Sequence, residues 1–64
     1  MDLSPKAILK IAKDNGWELV RINGSHHIFR HQETGHTVPI PIRGNRDLKL
    51  GTFRAIVKIL QNPG

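Results

Sequence analysis

The chain has 64 residues, with ten Lys and Arg against five Asp and Glu, four His and no Cys, giving a formal net charge of +5. That length fits one small domain over 1–64, with a modest core that no disulfide or cysteine-based zinc site supports. No apolar run reaches the roughly 18 residues of a membrane span and the amino terminus lacks a signal-peptide core, so neither a membrane partner nor export is expected. The absence of cysteine fits a reducing compartment, and a cytoplasmic location is the expectation. An isoelectric point near 10.5 on a compact domain is the electrostatic footprint of a nucleic-acid binder. The basic residues are spread from Lys6 to Lys58 with no block of five like charges, as on a folded basic surface and not a disordered arm.

Ser4-Pro5 opens the first element, with Ser as N-cap and Pro at the first helical position. Ala7, Ile8, Ile11 and Ala12 follow at helical spacing, and Asn15-Gly16 supplies a left-handed stop, so the pattern predicts a helix from about Pro5 to Asp14. Trp17 to Ile22 is rich in strand formers. Asn23-Gly24 then predicts a type I′ hairpin turn, and Ser25 to His31 the returning strand. After the turn at Gln32 to Gly35, His36 to about Ile40 reads as a third strand. Pro39 and Pro41 cannot donate to a ladder and assign it to an edge. Arg43 to Lys49 reads as a polar loop. Phe53, Ile56, Val57 and Leu60 match the helical template without a miss, and Asn62-Pro63-Gly64 ends that second helix. The fold class is α+β in the order α-β-β-β-α, a three-stranded antiparallel sheet with two helices on one face. The other sheet face is left open to a ligand.

Strand alternation from Gly24 to His31 separates His26, Ile28 and Arg30 from His27, Phe29 and His31. With Phe29 as the core residue, His26 and Arg30 share the open face; a one-residue bulge near Gly24 would invert the assignment. A histidine beside an arginine on such a face suits RNA cleavage. Imidazole can remove the 2′-hydroxyl proton, and a guanidinium can hold the phosphate through the transition state. The plainer alternative is a turn-flanking polar residue. No metal is expected: His27 and His31 lie roughly 13 Å apart on a strand, and His26 with His36 would supply two ligands with nothing to complete the set. No cofactor motif is present.

The matching features now run in order: an opening amphipathic helix, Gly16-Trp17 before Leu19-Val20-Arg21, Gly24-Ser25-His26-His27 with Phe29, Thr37-Val38-Pro39, and Leu50-Gly51-Thr52-Phe53 leading into Ile56. In these the chain resembles the HicA-type mRNA interferases, toxins of bacterial toxin–antitoxin pairs. The resemblance implies a double-stranded-RNA-binding-domain-like fold and a metal-independent endoribonuclease that cleaves mRNA and inhibits translation, with His26 catalytic. It also implies a cognate HicB antitoxin as partner. Lys10, Gly24, Ser25, Arg30, Arg43 and Lys58 are the expected RNA contacts. Family members often carry a histidine near the Val-Pro segment, where this chain has Arg43 close by. Protonation of the leaving oxygen is therefore open between water, His36 and His26 itself. A non-catalytic RNA-binding module of the same fold is the alternative.

Overall fold

A computed structural model describes residues 1–63 and contains, in order, helix α1 (Pro5–Asp14), strands β1 (Trp17–Asn23), β2 (His26–His31) and β3 (Thr37–Pro41), and helix α2 (Leu50–Gln61). The strands form one antiparallel sheet in the order β1-β2-β3. No helix among the described residues is long and apolar enough to cross a membrane.

The local reasons match the sequence pattern at α1. The Ser4 hydroxyl accepts the Ala7 N–H at 3.2 Å, satisfying one orphan donor of the first turn, and Gly16 at φ +86° turns the chain out of the helix. Both helices bury one stripe on the same sheet face. Ile8 and Ala12 from α1 and Phe53, Ile56 and Leu60 from α2 meet Trp17, Phe29, Val38 and Ile40. The Trp17 indole N–H reaches the Leu60 carbonyl at 2.9 Å, pinning the end of α2 to the start of β1.

Three details differ from the sequence pattern. The hairpin pairs Asn23 with His26, so its two loop residues are Gly24 and Ser25. Only Gly24 has positive φ, at +61°, while Asn23 stays in the strand; this is the type II′ pattern, with glycine at the first central position, and not type I′. Second, a bulge interrupts β1 between Leu19 and Arg21, making Val20 the extra residue. It lies on β1 and not near Gly24, so the two faces of β2 are as alternation predicts. Third, the loop before α2 is anchored: Leu48 is buried, and its N–H donates to the Leu3 carbonyl at 2.8 Å.

The two edges of the sheet are unlike. The His31 N–H bonds the His36 carbonyl and the Ile42 N–H bonds the Ser25 carbonyl, so the even-numbered residues of β3 face β2 and the odd ones face outward. Pro39 and Pro41 fall on that outward side, where their missing N–H groups blunt the edge. Along β1 the outward side carries Leu19 and Ile22, both with exposed side chains.

Candidate functional site

The register fixes what the open face displays. Asn23, His26 and Pro41 form one row across the three strands, Arg21, Ile28 and Pro39 the next, and Glu18, Arg30 and Thr37 the third. His26 is exposed, and it stands at the hairpin end of the face, beside the Gly24-Ser25 turn. That turn is tied to β3 by the Ile42 N–H to Ser25 carbonyl bond at 2.7 Å. The hairpin therefore holds His26 at a defined place in front of Pro41.

Arg30 shares the face but not the neighbourhood. It sits four residues along the strand, roughly 13 Å from His26, and its guanidinium lies beside Gly35, where an added Cβ would stand 3.7 Å from Nη2. Arg21 is closer in the lattice of the sheet, one diagonal step from His26. Plain alternation from buried Trp17 would have turned Arg21 toward the helices. The extra residue Val20 shifts the phase and brings Arg21 onto the open face, which no sequence periodicity could reveal.

Pro41 also lines a cleft of about 340 Å³ with Arg43, Arg46, Asp47, Lys49 and Thr52, and with Leu48 as an apolar wall. Arg43 thus lies next to Pro41, the cross-strand neighbour of His26. Lys10 and Lys58 do not: they project from α1 and α2, which cover the opposite sheet face. Lys10 pairs with Asp14 at 2.8 Å, and that hydrogen bond and charge hold its ammonium above the usual lysine range.

The other three histidines separate cleanly. His27 faces the helical layer between Ile22 and Ile40, with a buried Nδ1 that has no hydrogen-bond partner among the described residues. His36 pairs with the far end of β2, roughly 17 Å along the strand from His26, and its Nδ1 meets the Pro63 carbonyl at 2.6 Å. It is not positioned to protonate a leaving group at His26. His31 is buried and structural. Its Nδ1 accepts the Glu33 and Thr34 N–H groups at 3.2 and 3.3 Å, which leaves the ring proton on Nε2 to bond the Asn15 carbonyl at 2.9 Å. Nothing in the sequence distinguishes this role from that of its neighbours. Among the described residues no three His, Asp or Glu side chains converge as a metal site would require.

Comparison with curated proteins finds no match. The family model for the HicA toxin of bacterial toxin–antitoxin systems matches residues 5–61, from the first residue of α1 to the last of α2. With that match spanning nearly the whole chain, the protein belongs to the HicA toxin family.

Proposed function

We propose that this toxin is a metal-independent endoribonuclease that cuts mRNA, with His26 as general base. The observation that carries the reading is the isolation of His26. It is exposed on the open sheet face, held by the hairpin, and flanked by Arg21 on one side and the Arg43 cleft on the other. In the proposed step imidazole removes the 2′-hydroxyl proton, O2′ attacks the adjacent phosphorus, and the P–O5′ bond breaks. The products are a 2′,3′-cyclic phosphate and a 5′-hydroxyl that takes a proton from water or from His26, now protonated. Arg21 stabilises the added negative charge; Gly24 and Ser25 shape the turn beside it, Arg43 contacts the RNA backbone beyond Pro41, and Arg30 holds the strand farther along the face. Lys10 and Lys58 draw the polyanion in from a distance. A cognate antitoxin of the HicB type, covering the His26 face, is the expected partner in a cytoplasmic setting.

The test is cleavage of single-stranded RNA in EDTA by the parent and by His26→Ala. The parent should leave cyclic or 3′-phosphate ends, and the variant should lose the roughly 10²–10⁴-fold that a positioned general base contributes while melting normally. A strict divalent-ion requirement with 3′-hydroxyl products would overturn the mechanism. Undiminished cleavage by the variant would remove His26 from it, and RNA binding without cleavage by the parent would favour the non-catalytic module.

A further inference from the structure

The cleft beyond Pro41 has properties that the general basicity of the chain does not explain. A tight turn closes it, with the Arg46 N–H bonded to the Arg43 carbonyl at 3.1 Å and Gly44 at φ +58°. The turn brings two arginines to its two ends, and Lys49 follows three residues later. None of these three cations lies within 4.0 Å of a carboxylate: the one ion pair among the described residues is Lys10–Asp14, on α1. Asp47, the sole acid on the loop, is exposed and lines the cleft without pairing any of them. Mutual repulsion among clustered like charges is relieved when an anion sits between them. The loop carrying them is also rigidly mounted, since Leu48 is buried and its N–H is bonded to Leu3, and Ile42 is bonded to Ser25.

The cleft borders the candidate active site at one residue. Pro41 is the cross-strand neighbour of His26 and also lines the cleft. A strand of RNA whose scissile phosphate lies at His26 would therefore place its next backbone unit over Pro41 and into the cleft.

We propose that Arg43, Arg46 and Lys49 form a subsite for a second RNA phosphate, adjacent to the one that is cut. This rests on the ribonuclease reading for its neighbour and on the cleft itself for its ligand. Because the lining groups that can donate to an anion are three cations and the Thr52 hydroxyl, against the single carboxylate of Asp47, the subsite reads backbone and not base. It makes the substrate a strand: a dinucleotide, with one phosphate, reaches His26 but leaves the cleft empty.

The experiment compares Arg46→Ala/Lys49→Ala with a charge-matched control, Lys6→Ala/Lys13→Ala, both exposed on α1. Binding of a 2′-O-methyl oligonucleotide, which lacks the attacking hydroxyl, is measured against salt. The cleft variant should lose about 0.7 from the slope of log K against log salt, since each neutralised phosphate of a single strand contributes about 0.7, and roughly fivefold in affinity near 0.1 M salt. The control should keep the parent's slope. On cleavable RNA the cleft variant should raise KM for long strands and leave the dinucleotide rate unchanged. Equal slopes in the two variants would overturn the subsite, whether or not the parent cleaves. If the parent binds through the cleft but never cleaves, the subsite stands and the ribonuclease reading falls.

Discussion

Replacing His31 tests the packing logic most directly, because one side chain joins three segments. Its ring touches the end of α1 through the Asn15 carbonyl, the β2–β3 turn through Glu33 and Thr34, and Trp17 edge-on with centroids 5.2 Å apart. Each neutral hydrogen bond contributes about 0.5–1.5 kcal/mol net, and an edge-to-face aromatic pair about as much beyond its buried area. His31→Ala should thus cost about 3 kcal/mol, against roughly 3–10 kcal/mol of total stability for a domain of this size. Urea unfolding followed by fluorescence is the assay, and Trp17, the single tryptophan, reports from beside the lesion. The midpoint should fall steeply with little change in slope. His31→Leu separates the contributions: it restores apolar volume but not the bonds, and should recover less than half of the loss. A Leu variant as stable as the parent would refute the argument, because the three polar contacts would then contribute nothing net.

The remaining predictions concern neighbouring positions. Gly16→Ala should cost more than Gly24→Ala: both have positive φ, a strain of about 1–2 kcal/mol for an L-residue, but only at Gly16 would the new Cβ meet a neighbour, 3.0 Å from His31 Nε2. Paired thermal melts decide it, and equal losses would show that His31 moves freely. His27→Ala should lower stability by about 1 kcal/mol, typical of a partly buried position, without changing RNA cleavage. His27→Leu should be at least as stable as the parent, because it removes a buried Nδ1 that has no partner among the described residues. If His27→Ala abolished cleavage while melting normally, the base would lie on the helical side of β2.

Much of this fold is legible in the sequence because its signals are local. Ser4-Pro5 and Asn15-Gly16 bound α1 at the residues observed, and the stripe from Phe53 to Leu60 needs no partner to be recognised. The face of His26 follows from alternation once Phe29 is taken as core. What escapes is set by pairing across the chain. The Val20 bulge exists only relative to β2, so Arg21 cannot be assigned to the His26 face from its own surroundings. The loop read to Lys49 does end where α2 begins at Leu50, although Lys49 at the N-cap offers no side-chain acceptor. The stretch from Arg43 to Lys49 reads as a solvated loop, yet buried Leu48 fastens it to the body and gives the cleft its wall.

The unlike edges of the sheet govern how it can meet other chains. A strand approaching β3 finds no N–H at positions 39 and 41, so any ribbon laid there would leave its own carbonyls without partners. Along β1 the outward backbone groups are present, but the extra residue at Val20 breaks their even spacing. A regular strand can match the row before the bulge or the row after it, not both. Two prolines and one inserted residue thus keep a three-stranded sheet from serving as a template for runaway stacking, and they do so without adding a charge to the open face.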